Sequence, residues 1–363
     1  MDKVLRYFVI TFCLLTFSFS VIGSEKVEET KEFNVGEMIM HHVKDAHEWH
    51  LWTLNGKHVS IYLPIILYTD EGLKIFSSSH FYHTEPLHQG ENHYYKGEGP
   101  AEGYAMYHEK IYELDEAGIL HFEGDHVHGN IKPLDFSITK NVVSLFIGSL
   151  LVFILMFTCA RYYKKNGAVA PKGLSKFLEP LILFVQDEIA KTNINEKKYK
   201  KFVPFLLTIF FFIWINNLLG LIPIFPGSAN LTGNITVTFF LAFLTLVLIL
   251  VNGNKNYWGH IFAPPGVPKA LLPIMIPIEI VGIFTKPFAL MIRLFANITA
   301  GHIIILALIS IIFINKNAAW GALSVPMALF ISILELLVAA LQAYLFAMLS
   351  ALFIGAAVEE SHH

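Results

Sequence analysis

Apolar positions fall into long unbroken runs in the C-terminal two thirds of the chain and into short, interrupted stretches before them. Residues 138–160 form a run headed by Lys140 and closed by Arg161, about 23 residues, enough to cross a hydrocarbon core as a helix. Residues 202–222 and 235–251 predict a second and a third span. Residues 273–314 and 320–358 carry only three charges and one charge, and the five residues 315–319 join them. At 1.5 Å per residue these two are helices of about 63 and 58 Å, roughly twice the core thickness, so they are broken or steeply tilted. Residues 174–189 place Leu174, Phe177, Leu178, Leu181, Ile182 and Val185 on one stripe, with Lys176, Glu179, Gln186 and Asp187 elsewhere, which predicts an interfacial amphipathic helix. Upstream, two strand-turn-strand units are expected: 58–67 and 73–76 about the turn 68–72, then 110–114 and 119–122 about 115–118. The predicted fold class is an all-α polytopic membrane protein of about five membrane helices. The last two are long and tilted as an antiparallel hairpin, and a small β-rich domain precedes the first.

Composition agrees, since 54% hydrophobic and 15% charged residues over 363 positions is too apolar for a soluble domain. Charge divides the chain at the same place. Residues 24–135 hold 20 Asp+Glu against 8 Lys+Arg, and residues 140–363 hold 16 Lys+Arg against 8 Asp+Glu. Three parts follow: 1–23, 24–135 and 136–363. Lys3 and Arg6, the apolar run 7–22 and the small residues Gly23 and Ser24 read as a cleaved export signal; the alternative is a short first transmembrane helix. Either way the acidic part is expected outside. The loop 161–201 carries 10 Lys+Arg against 4 Asp+Glu and is expected in the cytoplasm, whereas 223–234 has no charge and is expected outside.

A net charge of −3 without a basic, aromatic-rich patch argues against nucleic acid. Cys13 and Cys159 lie in separate apolar segments, so no disulfide framework or Cys-based metal motif is expected. Thirteen of the 17 histidines fall between His41 and His128, including His41-His42, His47 with His50, and His126 with His128. Such tracts can bind zinc or copper, but no pair is matched by a second at fixed zinc-site spacing; the reading adopted is a solvated, pH-responsive acidic surface without a metal.

The chemistry sits on the two long segments. Glu279, Lys286 and Arg293 recur at a spacing of seven, which stacks them on one helical face, and Asn297 and His302 continue along it. Glu335 and Gln342, again seven apart, do the same on the second segment. An arginine inside such a segment costs about 3 kcal/mol or more and cannot shed its proton, so it is there for function unless a carboxylate neutralises it. For an antiparallel hairpin turning near Asn317, residues face each other when their numbers sum to about 635. Arg293 then meets Gln342, and His302 meets the neighbourhood of Glu335, about nine residues further out, while Glu279 lies at the cytoplasmic end. Protonatable groups thus stand above and below one permanent charge, and a partner subunit has to supply the acid that receives a proton beside Arg293.

The run 283–302, with Thr285-Lys286-Pro287 and Arg293-Leu294-Phe295-Ala296-Asn297-Ile298-Thr299-Ala300-Gly301-His302, resembles the signature of subunit a of the F-type ATP synthase membrane sector. Glu335 with Leu341-Gln342-Ala343-Tyr344 resembles that family's final helix. Ile215-Asn216-Asn217-Leu218-Leu219-Gly220 and Ser228-Ala229-Asn230 with Thr236-Val237-Thr238 resemble its second and third spans. The resemblance covers roughly 135–360. It implies that Arg293 is the essential arginine facing a rotor ring and Gln342 its helper. Asn297, Asn216 and Asn217 become polar lining, His302 with Glu335 the external half-channel pair, and Lys286 and Glu279 groups toward the cytoplasmic exit. Implied too are a non-catalytic proton-translocating subunit without cofactor and partners in the c-ring proteolipids, the peripheral-stalk subunit b, the rest of the synthase and the lipid bilayer. The implied location is a bacterial inner membrane, with a periplasmic N-terminal domain and a cytoplasmic C-terminus. Many bacterial members carry Glu at the place of His302 and His at the place of Glu335, so the pair is exchanged here. Gly220 stands where some members have Asp. The His-rich domain is outside the common pattern. The alternatives are a secondary transporter whose Arg293 binds an anionic substrate, and a metal-binding exported protein.

Overall fold

The computed structural model describes residues 36, 44–54, 57–84, 86–89, 92–167, 169–222, 229–262 and 268–359. The expected export segment 1–23 and the pair His41-His42 lie outside the described residues.

The N-terminal domain is antiparallel throughout. Strands β1 (Glu48–Leu54) and β2 (Lys57–Tyr62) pair with each other, and β3 (Pro64–Thr69) pairs with β4 (Gly72–Ser77) about the turn at Asp70 and Glu71. After the short helix α1 (Ser79–Tyr82), β5 (Leu87–Gln89), β6 (Asn92–Lys96), β7 (Tyr104–Tyr107) and β8 (Lys110–Glu113) form a four-stranded sheet. Two short pieces, β9 (Phe122–Glu123) and β10 (His126–Val127), pair together, and β11 (Leu134–Asp135) returns to the edge of β3. Alternation along β3 turns Ile65, Leu67 and Thr69 inward, where Phe76, Phe81, Met106 and Ile111 complete a small core.

Two details differ from the sequence expectation. The run 58–67 is two strands rather than one, because the chain turns from one sheet to another at Leu63-Pro64; proline has no N–H for a ladder. The second hairpin joins β7 to β8 through His108 and Glu109, not 110–114 to 119–122. Both turn residues have positive φ, +49° and +61°, the two-residue geometry usually given to Asn and Gly.

The membrane part begins with α2 (Lys140–Asn166), α3 (Leu174–Phe184) and α4 (Tyr199–Leu221), followed by α5 (Ile235–Asn252) and the short α6 (Lys255–Phe262). It ends with α7 (Leu272–Ile314) and α8 (Gly321–Val358). Five described helices are long and apolar enough to cross a membrane: α2, α4, α5, α7 and the last, counted from Ala318. Helices α7 and α8 are continuous, with Pro277 and Pro287 inside one and Pro326 inside the other, so neither is broken. Helix α3 passes into a wide π turn, Val185–Lys191, which buries Val185, Ile189 and Ala190. Leu174 and Phe177 of the expected apolar stripe are instead 45% and 61% exposed, so its buried face is Ser175, Leu178 and the π turn.

Close approach of these helices depends on small residues. Ala339, Ala343, Ala347 and Ala351 recur every fourth position of α8 and are fully buried. A Cβ at Gly148 of α2 would strike the Asn216 side chain of α4, and one at Gly355 would strike the Asn193 carbonyl. Helix directions alternate, so the head of α2, residues 229–234 before α5 and the α7–α8 turn lie at one end of the bundle. At the other end, Lys198 and Asn254 donate to the terminal carbonyl of α8 at Val358, 3.1 and 2.8 Å.

A buried charge cluster stands at the base of the β-rich domain, where a solvated histidine surface was expected. His47 is 3% exposed. Its backbone N–H donates to Glu109 Oε2 (3.0 Å), its Nδ1 lies 3.2 Å from the same oxygen, and its Nε2 lies 3.7 Å from Asp135 Oδ2. The Tyr82 hydroxyl donates to Glu109 (3.0 Å). The unusual turn at His108 and Glu109 is what aims this carboxylate inward. Burial opposes the charge on His47, but Asp135 and Glu109 more than offset it and lift the imidazole to about 9, while both carboxyls are held below their usual range. The histidine contribution to stability is therefore complete below its unperturbed value of 6.5 and lost as pH climbs through about 9; the carboxyl contributions are lost at acid pH. Amide exchange of β1 in the full-length protein, corrected for intrinsic rates, is expected to be slowest between about pH 5 and 6.5 and to speed up toward pH 9, with His47→Gln flattening the alkaline side. Protection that holds constant from pH 6.5 to 9 in the parent protein contradicts the assignment.

Candidate functional site: the polar seam of the long hairpin

Three contacts fix how α7 and α8 lie together. A Cβ at Gly321 would sit 3.7 Å from Ile312 Cδ1, a Cβ at Gly301 would fall onto the carboxylate of Glu335, and Lys286 Nζ stands 5.7 Å from the Phe353 ring centre. Each pair lies within about one helical turn of the antiparallel register expected for a turn near Asn317. Gly301 matters most. Any side chain at 301 would push against Glu335, which is 8% exposed, so the glycine is what lets a carboxylate lie between the two helices.

Glu335 and His302 come to the same depth but do not form an ion pair: Glu335 lies over Gly301. His302 is half-buried. Arg293, also half-buried, has no carboxylate within ion-pair distance among the described residues. Gln342 lies within about one turn of Arg293 in depth, but it is 3% exposed and sits in the buried alanine seam of α8, not on the outer face. Around Arg293 the outward surface of α7 is small and polar: Ala289, Ala296, Asn297 and Ala300 are all exposed. Lys286 is exposed over Phe353, and Glu279 lies two turns further along α7 without an ion pair to Lys286.

Asn216 and Asn217 are both buried, at 2% exposure. Asn217 Nδ2 donates to the Ala339 carbonyl (3.4 Å), one turn from Glu335, and its Oδ1 accepts from the Thr232 hydroxyl (2.6 Å). Asn216 Nδ2 donates to the Phe212 carbonyl (2.7 Å). Among the described residues, Asn216 Oδ1, Asn230 Nδ2 and Thr299 Oγ1 are buried without a hydrogen-bond partner, which is unusual for interior polar atoms and marks groups available to an entering ion or water. Sequence reasoning missed Gly301, Thr232 and Thr299. Only Gly301 carried a local sign, its place between Ala300 and His302.

A polytopic helical protein whose polar groups gather along one long hairpin, around an arginine with no acid at ion-pair distance among the described residues, has the build of an ion-conducting membrane subunit. Residues 142–355 match the family described as ATP synthase A chain, and residues 38–136 match one described as Domain of unknown function (DUF8433). The chain is 43% identical over 258 residues to ATP synthase subunit a of Chloroherpeton thalassium, covering 69% of this chain and 74% of that protein. It is 43% identical over 294 residues to ATP synthase subunit a of Chlorobium phaeobacteroides, covering 77% and 83%, and 46% identical over 236 residues to that of Myxococcus xanthus, covering 63% and 76%. The chain belongs to the ATP synthase subunit a family, the proton-channel stator subunits of the F-type enzyme.

The hairpin register is open to a direct check. Cysteines at 301 and 335 are expected to cross-link in membranes under mild oxidation, whereas cysteines at 293 and 335, about 10 Å apart along the axis, are not. Efficient linkage of the second pair and none of the first contradicts the register.

Proposed function

We propose that this chain carries protons between two half-channels and a rotating ring of c-type proteolipid subunits, in the inner membrane of a bacterium. Residues 1–23 direct export of the acidic domain 24–135 to the periplasm, while the membrane part 136–363 ends with its C-terminus in the cytoplasm. Tilt of α7 and α8 follows from their length, since straight helices of more than about 55 Å fit a hydrocarbon core of about 30 Å only when steeply inclined. An inclined hairpin also presents a long face to a ring. The peripheral-stalk subunit b holds the chain against rotation.

Protons enter from the periplasmic side past Asn216 and Asn217, His302 and Glu335, protonate a ring carboxylate, travel round with the ring and leave past Lys286 and Glu279. Arg293 separates the two halves. Its fixed charge repels a proton that would hop directly between them and favours the ionised form of each arriving carboxylate. Asn297 lines the contact, and Gln342 supports Arg293 from the buried side of α8. The chain itself makes and breaks no covalent bond; ATP forms elsewhere in the complex. One observation carries this reading: Arg293 has no carboxylate within reach among the described residues and stands on an exposed face of small side chains, so its counter-charge comes from a partner. The transporter alternative has no observation in its favour.

Lysine is a compact ammonium that deprotonates when desolvated, whereas guanidinium keeps its charge and fork geometry. Arg293→Lys is therefore expected to stop ATP-driven proton pumping by the assembled complex as fully as Arg293→Ala, and Arg293→Ala to leak protons passively as well. Near-normal pumping in the lysine variant contradicts the barrier role.

A further inference from the structure

Linear spacing shows no zinc-type pairing among the histidines of the β-rich domain, but the fold brings two of them together. His88 of β5 and His93 of β6 stand directly opposite each other in the antiparallel register, so their side chains share one face of the hairpin. Their Nδ1 atoms lie 3.1 Å apart, with ring centres 4.9 Å apart and ring planes at 70°. Among the described residues this is the contact in which two imidazoles meet. His47, by contrast, is buried against Glu109 and Asp135, and His121 Nε2 is paired with Asp115 (2.7 Å).

Two ring nitrogens at this separation leave room for one proton or one cation between them. If both carry hydrogen the donors clash, and if neither does, two lone pairs face each other. A single N–H across the gap adds little at a surface open to water, whereas a metal ion satisfies both lone pairs at once. With metal–imidazole bonds of about 2.0–2.1 Å, a separation of 3.1 Å sets an angle of about 100° at the metal, between the right angle of square-planar copper(II) and the tetrahedral angle of zinc.

The surroundings hold one side of the pair in place. Asn92, next to His93, donates its side-chain amide to the Gly124 carbonyl (2.9 Å) and accepts from the Tyr107 hydroxyl (3.1 Å), so β6 is tied to β7 and to the β9–β10 turn. Strand β5 is three residues long, exposed throughout and at the edge of the sheet beside β6. His88 is exposed and His93 half-buried, which leaves the pair open to an arriving ion. No third His, Cys, Asp or Glu gathers with them among the described residues, so water completes the coordination and the ion exchanges.

We propose that His88 and His93 form a two-imidazole site for a late first-row divalent cation, copper(II) in preference to zinc, which clasps the edge strand β5 to β6. The preference follows the general order of affinity of nitrogen ligands for these ions. The pair lies in the part matched to a family of unknown function and outside residues 142–355, so the site is independent of the proton path.

The test adds Cu²⁺ as the only metal to the full-length protein in detergent micelles. At one equivalent, electron paramagnetic resonance is expected to show nitrogen couplings from two imidazoles. His88→Gln and His93→Gln are each expected to weaken binding by about tenfold or more, because a second ligand on the same hairpin acts at high effective concentration. His128→Gln, beyond β10, is expected to leave binding unchanged. Amide exchange across Leu87–Gln89 should slow with Cu²⁺ in the parent and in His128→Gln, but not in the other two variants. Without metal, exchange of β7 in all three variants should match the parent, so a lost clasp is not a lost fold. A one-imidazole spectrum, equal Cu²⁺ affinity in the parent and in the His88 and His93 variants, or exchange of β5 that does not respond to Cu²⁺ overturns the site.

Discussion

An arginine that cannot lose its proton, carried inside an apolar hairpin and without a carboxylate at ion-pair distance among the described residues, is the constraint on which the membrane part depends. Charge in a hydrocarbon environment costs several kcal/mol unless it is answered, and among the described residues no carboxylate lies within ion-pair distance of Arg293. Leu290, Met291 and Leu294 bury the opposite side of α7, so the guanidinium has to meet its partner across the exposed face. Ala289, Ala296 and Ala300 keep that face low, which lets another helix come near enough for the charge to act. The arginine thus explains the shape of its surroundings as well as its own role.

The second carboxylate problem is solved differently. Glu335 is buried between the two long helices because Gly301 leaves space for it, while fully buried alanines at every fourth position hold the rest of α8 in the bundle. Asn217, hydrogen-bonded to Thr232 and to the Ala339 carbonyl, ties α4 and the following loop to the same level. At the end of the bundle that holds the β-rich domain, capping of α2 by Asp45 makes the domain a rigid continuation of the first span rather than a tethered appendage.

Much of this was legible in the sequence, and unevenly so. Membrane helices announce themselves because the bilayer demands unbroken apolar runs; the run ending at Ala160 nevertheless stops short of the helix, which continues to Asn166 because Lys164 and Lys165 are favourable in a last turn. The short linker gave the register of the hairpin and with it the relative depth of Arg293, His302 and Glu335. It could not give Gly301, since a close contact depends on which side chain is missing, nor the burial of Gln342, which depends on the rotation of α8. Helix α6 is eight residues long, too short for periodicity to speak. In the β-rich domain the turn at His108 and Glu109 lacks the glycine or asparagine that usually marks such a turn, so the hairpin was read one strand too late.

The central claim is that the exposed face bearing Arg293 meets an acidic group of a partner subunit. It is tested most directly by single cysteines on α7 paired with cysteines flanking the ring carboxylate in the assembled complex. Positions 289, 296 and 300 are expected to form disulfides with the ring, and positions 290 and 294, on the buried side, are not. Linkage from 290 and 294, or none from 289, 296 and 300 in complexes that still make ATP, contradicts the account.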